Sequence, residues 1–455
     1  MTDRQTVEIV PLLGGSPHGR VFLVGSKIIR GIYPGKEQRY LDILKLCEDN
    51  DLFRYGIVCT RVAEGDLIPG KGFSMYLEHE RVRFITYAHE WPSSMLKDAA
   101  LFHIGLNILL GQHDLVLSDM HPYNIQFNGV KPVYVDFPKI CIFKDVAARN
   151  KWRLPGLFPV DLLRKKPSIG LLGAIYLQEF LPTFFRPLLL MAAGKHREYR
   201  AFVAGFSNPS RQPVISAKEC ASILPYSVIS SISTTIILLI SLLKRGHCEE
   251  QFWRELLAIV TRMDVVPMAT ETGTEMIPSY IMDVVRCESP ATLLVMGAGE
   301  EVALTAARLG SQVISVDSNE VVTDRLYHKA KEEGLSLTPV IIPSTSFIAL
   351  QETETRSLLV HPVKRFHCEM VVIGPEVYAQ FITSGSDPVK IAGILDKLAE
   401  RNLLLVIRNG KDSPYSLLLA AMKDAIEHFF TTIMELDTSD DKLILWFEKK
   451  LHADS

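Results

Sequence analysis

Apolar positions recur along this chain with two periods, and the change of period marks out its elements. Residues 20–33, RVFLVGSKIIRGIY, alternate: Val21, Leu23, Ile28 and Ile32 are apolar and Gly25-Ser26 stands between, which predicts a small hairpin. Glu37–Asp49 carries Tyr40, Leu41, Leu44 and Cys47 at helical spacing. Arg81–Tyr87 reads as a strand and Trp91-Pro92-Ser93 as a break. Ser93 or Ser94 then caps a long helix, Met95–Gln112, with Leu96, Ala99, Ala100, His103, Leu106, Leu109 and Leu110 on its apolar side. Two short strands follow, Ile125–Phe127 and Val133–Val135, around an Asn128-Gly129 turn. Residues 150–260 are mostly helical, interrupted by prolines and by a polar break at 205–215. They read as a connector that packs both ends of the chain together.

Beyond the connector the pattern becomes strand and helix in alternation. A loop, Met263–Gly273, leads to a helix, Ile277–Arg286. The run Leu293–Met296 meets the turn Gly297-Ala298-Gly299, and Val302, Ala303, Ala306, Ala307 and Leu309 share a helix face that Gly310 ends. Val313–Val316 is the next strand, stopped by Asp317. Strand, glycine turn, helix, strand and acid make the first βαβ unit of a nucleotide-type α/β fold. A helix at Asn319–Glu333 and a strand at Thr338–Ile342 come next. Met370–Ile373 and Leu403–Ile407 are strands around a helix at Pro388–Arg401. Ser416–Phe429 is a helix, and Thr431–Leu436 and Lys442–Glu448 are strands close enough for an antiparallel pair at the sheet edge. Trp446 and Phe447 fall in that last strand as core. The layout predicts a C-terminal Rossmann-like sheet of seven strands, as in class I methyltransferases.

The glycine turn narrows the ligand. Glycines let the backbone approach closely, the helix start offers free N–H groups, and an acid at the second strand's tip suits a ribose diol. The turn lacks the last glycine of G-x-G-x-x-G and carries Glu300 and Glu301 where the helix begins. Two carboxylates there suit the helix dipole and oppose a pyrophosphate. S-adenosyl-L-methionine (SAM) meets the condition, having a ribose, a sulfonium and an ammonium group and no phosphate.

A second pattern lies at 115–137, LVLSDMHPYNIQFNGVKPVYVDF. Asp119, then Asn124 five residues on, then a hairpin delivering Asp136-Phe137, resembles the catalytic and metal-binding segment of the protein kinase and aminoglycoside phosphotransferase fold. There the first Asp serves as base and the Asn and second Asp as magnesium ligands. Supporting features are missing: no glycine-rich phosphate loop, no V-A-I-K, Ser118 where kinases have Arg or Gly, and Pro138 for the glycine of D-F-G. Lys27 and Arg30 are the candidate cations on the preceding strands. The expected role of Asp119, Asn124 and Asp136 is structural, fixing the loop by side-chain-to-backbone hydrogen bonds, with His121 as loop packing.

Composition changes the picture in three places. At 455 residues, 47% hydrophobic and 22% charged, the chain has material for about two to four cored domains and is not disordered. A net charge of −3 gives no global drive toward nucleic acid, though it is compatible with a local basic groove. Seven scattered cysteines without a C-x-x-C, and an N-terminus with no secretory pattern, point to a cytoplasmic setting with neither a disulfide framework nor a metal site. Ile223–Leu243 holds no charge over 21 residues, long enough to span a membrane, but Pro225 and seven Ser or Thr residues favour burial between domains.

Several phrases are specific: LKDAAL (96–101), PYNIQFNGVKPVYVDF (122–137), FLPTFFRPLLLM (180–191) and SVDSNEVVTDRLYHKAKEEGLSLTPVI (315–341). They resemble a bacterial family of class I SAM-dependent methyltransferases, related to a nodulation methyltransferase, that pair a kinase-like N-terminal half with a C-terminal methyltransferase domain. The resemblance implies a kinase-like region over 1–150, a helical connector over 151–262 and a Rossmann-like methyltransferase domain over 263–455. It carries over Gly297, Gly299 and Asp317 as SAM contacts, and with their neighbours Ala298, Glu300 and Ser318 these make the expected cofactor site; the expected acceptor is a small molecule or saccharide. The chain departs from the family at three motifs. D-L-G-C-N-T-G is replaced by Val295–Glu301, a histidine motif by Val372–Glu376, and a Pro-Lys motif by Ile407–Asp412. No catalytic residue carries over. Two other readings stand beside the methyltransferase: a non-catalytic scaffold built from degenerate folds, and a phosphotransferase using Asp119, Asn124 and Asp136.

Overall fold

The computed structural model describes residues 8–16, 18–145, 175–195, 199–200, 249–267, 278–348, 360–408, 416–438 and 442–450. The polar break at 205–215 and the uncharged stretch Ile223–Leu243 lie outside them. Among the described residues no helix is long and apolar enough to cross a membrane.

The N-terminal part begins with an antiparallel sheet. Strands β1 (Ile9–Ser16), β2 (Gly19–Val24), β3 (Lys27–Ile32), β4 (Thr60–Ala63) and β5 (Met75–His79) lie in the order β1-β2-β3-β5-β4. The hairpin expected at 20–33 is β2–β3, closed by Val24 opposite Lys27 with Gly25-Ser26 as the turn. Helix α1 (Glu37–Asp49) has the bounds its periodicity predicts and buries Tyr40, Ile43, Leu44 and Cys47. Leu41 faces out instead.

Arg81–Tyr87 is not a strand. The Gln126 side chain accepts from Thr86 N–H at 2.9 Å and donates to Thr86 C=O at 3.1 Å. One glutamine thus takes both backbone groups that a neighbouring strand would have used. Helix α2 (Ser93–Gly111) follows, with Pro92 and not a serine at its N-cap. Both serine hydroxyls are engaged elsewhere: Ser93 donates to Glu320 Oε1 at 2.7 Å and Ser94 to Asp324 Oδ2 at 2.9 Å. Strands β6 (Leu115–Leu117) and β9 (Ile140–Ile142) pair, as do β7 (Ile125–Asn128) and β8 (Lys131–Tyr134). Asn128 faces Lys131, so the β7–β8 turn is Gly129-Val130, one residue on from the expected pair.

Of the connector, Ile175–Phe185 and Arg186–Ala192 are helical, as is α3 (Glu249–Arg262). Lys97 on α2 donates to the carbonyls of Thr261 and Met263 at the end of α3. Helix α4 (Ser279–Glu288) then leads into the second sheet.

That sheet is mixed and has seven strands. In chain order the elements are β10 (Thr292–Met296), α5 (Glu300–Arg308), β11 (Gln312–Asp317), α6 (Glu320–Glu333), β12 (Leu337–Ile341), β13 (Cys368–Ile373), α7 (Pro375–Thr383), α8 (Pro388–Leu398), β14 (Ala399–Arg408), α9 (Ser416–Glu427), β15 (Phe430–Asp437) and β16 (Lys442–Lys449). The spatial order is β12-β11-β10-β13-β14-β16-β15. The first five strands are parallel, and β16 runs antiparallel to both β14 and β15. Leu293, Leu294, Val295 and Met296 are all fully buried, the near-continuous apolar run that a parallel strand covered on both faces requires.

Three local readings are corrected. Leu309 is 49% exposed, because it caps α5 beyond its apolar face. Helix α8 ends at Leu398, not Arg401: Lys449 Nζ donates to the carbonyls of Asp396 and Ala399, and the chain passes directly into β14. Helix α7 occupies a stretch that carries no helix in the sequence pattern. Of the two aromatics expected in the core, Phe447 is there and Trp446 is half-buried against it. Phe447 is fully buried, and Trp446 donates its indole N–H to Asn402 Oδ1 at 3.2 Å.

Each sheet has an apolar cluster of its own, and a third, larger one is shared between them. Trp91, Phe127 and Tyr134 belong to one apolar cluster with Val295, Leu326 and Tyr327. The Tyr327 ring meets Phe127 edge-on at 6.4 Å, and its hydroxyl donates to Asp98 on α2 at 2.7 Å. Beside this seam Glu90 and Arg365 form a buried bidentate pair.

Candidate functional site

The seven-stranded sheet gathers the expected cofactor residues at the carboxyl ends of β10 and β11. Strand β10 lies between β11 and β13, and both neighbours still hold the backbone as it leaves the strand. Gly297 N–H donates to Val316 C=O at 3.1 Å, and Gly374 N–H donates to Met296 C=O at 2.8 Å. The turn then needs glycine twice in its own right, with φ of +59° at Gly297 and +83° at Gly299. A third glycine allows the neighbouring strand end to close on it. A Cβ on Gly374 would fall 1.8 Å from the Gly297 carbonyl oxygen, and one on Gly297 would fall 2.7 Å from Val377 on α7. Ala298 is fully buried between them.

The acids of this edge behave differently from one another. Glu300 is buried at 7% exposure. It accepts from Arg325 Nε at 2.6 Å and Lys329 Nζ at 2.8 Å, both on α6. Burial alone would raise its pKa, but these two cations hold it below the usual carboxylate range. Its charge is therefore matched within the fold and ties α5 to α6. Glu301 is exposed, 3.9 Å from Arg308. Asp317 is half-buried, and its Oδ1 accepts from Asn319 N–H at 2.8 Å. Burial pushes Asp317 above the usual carboxylate range; the N–H groups of Asn319 and Ser318 oppose the rise, and Glu376 and Glu300 add to it. Ser318 is exposed. Asn319, next along, caps α6 by accepting from Val321 and Val322 N–H. Gly374 and Glu376 join this cluster from β13 and α7. The one sequence signal for them is Gly374-Pro375 immediately after a buried strand.

The second candidate constellation lies on the other sheet's side. Asp119 follows β6 and Asp136 follows β8. Asn124 closes the loop as expected, its amide donating to the Asp119 carbonyl at 3.3 Å. The two aspartates are held by cations instead of backbone. Lys139 Nζ is 3.0 Å from Asp119 Oδ2 and His121 Nε2 is 3.2 Å from Oδ1. Burial opposes ionisation of Asp119, but His121 and Lys139 outweigh it and hold its pKa well below the ordinary value. Asp136 lies 3.5 Å from Arg30 NH2, and here burial wins, so its pKa is raised despite Arg30 and Lys139. Of the two cations considered on β3, Lys27 turns out to pair with Glu78 at 3.1 Å, while Arg30 points inward and is 7% exposed. Glycines 14, 15 and 19 all fall in the β1–β2 hairpin, whose register is irregular between Pro11 and Gly15. Above this loop opens a cleft of about 780 Å³, lined by β2, β3 and residues 79–85 on one side and by Asn124, Gln126, Asp136 and Lys139 on the other.

No family model matches the chain. It is similar to nodulation protein NoeA of Rhizobium meliloti (strain 1021), 41% identical over 69 residues, which are 15% of this chain and 14% of that protein. The chain thus spans about a seventh of that relative's length. Among solved structures, TehB from Haemophilus influenzae aligns at 15% identity over 38% of this chain and 63% of its own, with a TM-score of 0.29. Magnesium protoporphyrin IX methyltransferase (ChlM) from Synechocystis PCC 6803, with bound SAH, aligns at 15% identity over 38% of this chain and 81% of its own, with a TM-score of 0.27. These scores fall short of what defines a shared fold.

Proposed function

We propose that this chain is a SAM-dependent methyltransferase, with SAM bound across the Gly297–Gly299 turn. The observation that carries this is the strand order β12-β11-β10-β13-β14-β16-β15 with a glycine turn at the end of its central parallel strand. From β10 the chain moves outward to β11 and β12 on one side, then crosses back to β13 on the other. The crevice outside their carboxyl ends is the topological switch point, where open α/β sheets hold ligands. The residues there fit this cofactor. Gly297 and Gly299 expose backbone, Asp317 stands at the tip of β11 for the ribose hydroxyls, and Glu376 offers a carboxylate toward a cationic group. Glu300 serves the site by fixing the start of α5 through Arg325 and Lys329. When bound, SAM supplies an electrophilic methyl group. The chain's part is to align it with an acceptor and exclude water, which requires no general acid or base.

In this reading residues 1–150 are a kinase-like region, 151–262 a connector and 263–455 the methyltransferase domain, acting in the cytoplasm on a small-molecule or saccharide acceptor. One observation favours the scaffold alternative: Gly374 sits directly against Gly297, so the turn is closely covered. Calorimetric titration of the full chain with SAM and S-adenosylhomocysteine, beside Asp317→Ala, separates the two. Micromolar binding abolished by the substitution is the expected result. A folded protein that takes up neither compound at millimolar concentration would be a scaffold.

A further inference from the structure

The ribose acid of the proposed cofactor site is steadied by more than its own half of the chain. Asp317 ends β11, and its Oδ1 accepts from Asn319 N–H at 2.8 Å, so the backbone just after the strand sets the direction of the carboxylate. That backbone runs straight into α6, whose first residue is Glu320. Asn319 caps the helix, and Thr323 closes the turn by donating its hydroxyl to the Asn319 carbonyl at 2.8 Å. Acid, cap and first turn form one rigid piece, so a contact that fixes Glu320 also fixes Asp317.

Glu320 is held from outside the seven-stranded sheet. Its Oε1 accepts from the Ser93 hydroxyl at the start of α2, at 2.7 Å. Its Oε2 accepts from Arg200 Nε at 3.1 Å and from the same guanidinium's NH2. Arg200 is itself anchored. Its NH1 donates to the carbonyls of His89 at 3.0 Å and Trp91 at 3.2 Å, and the guanidinium lies 4.8 Å over the Tyr199 ring. Tyr199 is fully buried and donates its hydroxyl to the same Trp91 carbonyl at 2.8 Å. The Glu320 and Arg200 side chains are 15% and 20% exposed, so solvent and salt screen the pair little. One turn further along α6, Asp324 accepts from both the N–H and the hydroxyl of Ser94, which places a carboxylate at the open N-terminus of α2.

We infer that Glu320 is a positioning residue for the cofactor: Ser93 of the N-terminal half and Arg200 of the connector hold the Asp317–Glu320 segment in the form that receives the ribose. The inference rests on the methyltransferase reading and goes beyond it, because it makes the cofactor affinity of the C-terminal half depend on the rest of the chain. A segment that keeps the receptive form only about a tenth of the time once Glu320 is released binds its ligand about tenfold more weakly.

The test is calorimetric titration of the full chain with S-adenosylhomocysteine, beside a set of variants. Glu320→Ala and Arg200→Met each remove the contact, and Arg200→Met carries the test should Glu320→Ala not fold. Glu320→Gln keeps the contact without its charge, the amide oxygen accepting from Arg200 and the amide NH2 donating to Ser93. Asp98→Ala loosens the same α2–α6 seam further along, where Asp98 accepts from Tyr327 and Lys331. Glu320→Ala and Arg200→Met should each weaken binding about tenfold, and the double variant no further, since the two side chains act as one unit. Glu320→Gln should recover most of the loss. Asp98→Ala should lower the thermal midpoint and leave the affinity unchanged. Parental affinity in both Glu320→Ala and Arg200→Met overturns the inference, as does a Glu320→Gln protein no better than the alanine variant. An equal loss in Asp98→Ala also overturns it, since general loosening of the seam then suffices. A parent chain that fails to bind the probe is a different result, which removes the methyltransferase reading itself and this inference with it.

Discussion

Replacing Arg365 by methionine removes a buried side chain that ties the two halves together at several points. Its guanidinium donates to both oxygens of Glu90, at 2.9 and 2.5 Å, and to the Ile85 carbonyl at 2.6 Å. It also lies 4.5 Å over the Tyr87 ring and 4.6 Å over Phe366. The side chains of Arg365 and Glu90 are 3% and 6% exposed, so water cannot replace what is lost. With the arginine gone, the Tyr87 N–H at 2.8 Å is the one partner Glu90 keeps for a buried charge among the described residues. Removing one member of such a pair costs about 3–5 kcal/mol, a large part of the roughly 5–15 kcal/mol that holds a domain folded. Most of that cost is the stranded carboxylate and not the lost attraction. The double variant Glu90→Met/Arg365→Met should therefore regain most of the stability, since apolar side chains of similar volume replace buried ion pairs with little loss. Urea unfolding followed by tryptophan fluorescence measures all three proteins, with Trp91 adjacent to Glu90 as a reporter. A double-mutant cycle then gives the coupling directly. An Arg365→Met protein within about 1 kcal/mol of the parent, or strictly additive losses in the double variant, would refute this reasoning.

Other expectations follow from single residues. His103 is fully buried with neither ring nitrogen partnered among the described residues, and burial lowers its pKa to about 3, with His121 adding to the drop and Asp119 opposing it. Below pH ~6.5 the unfolded chain takes up a proton that the folded one refuses, so stability falls with pH by about 1.4 kcal/mol per unit until the folded pKa is reached. His103→Phe should remove that slope between about pH 6 and 4, read from urea midpoints at a series of pH values; an unchanged slope would place acid sensitivity elsewhere. Gly374→Ala puts a methyl 1.8 Å from a backbone oxygen and should cost about 3 kcal/mol or more in urea unfolding, together with SAM binding. Gly393→Ala, inside α8 with nothing within 4 Å of the added Cβ, should gain about 0.4–1 kcal/mol in thermal unfolding. If the two alanine variants behave alike, close approach at Gly374 is not what its glycine is for.

Much of the fold is legible where one periodicity dominates. Helix α1 follows from Tyr40, Leu44 and Cys47 at helical spacing, and β2–β3 from alternation around Gly25-Ser26. The parallel strands follow from unbroken apolar runs. Legibility fails where a distant residue settles a local question. Arg81–Tyr87 has the composition of a strand, yet its backbone is satisfied by Gln126, forty residues away. Ser93 and Ser94 are capping residues by type, but Glu320 and Asp324 claim their hydroxyls. The candidate sites repeat the lesson. Gly297 and Asp317 can be placed from spacing alone. That α6 neutralises Glu300, that Gly374 closes on Gly297, and that Arg30 reaches Asp136 depends on how the sheets pack.

The position of β16 bears on how the chain is made as well as how it is held. β16 lies inside the sheet, between β14 and β15, although both precede it in the sequence. While a ribosome delivers α9 and β15, β14 stands with one side unpaired, and its Leu403–Ile407 run is as apolar as any in the sheet. At about 5–20 residues per second that interval lasts on the order of seconds. An open apolar strand edge is a template for pairing with other chains, so this is the stage at which a nascent molecule most needs a chaperone's shelter.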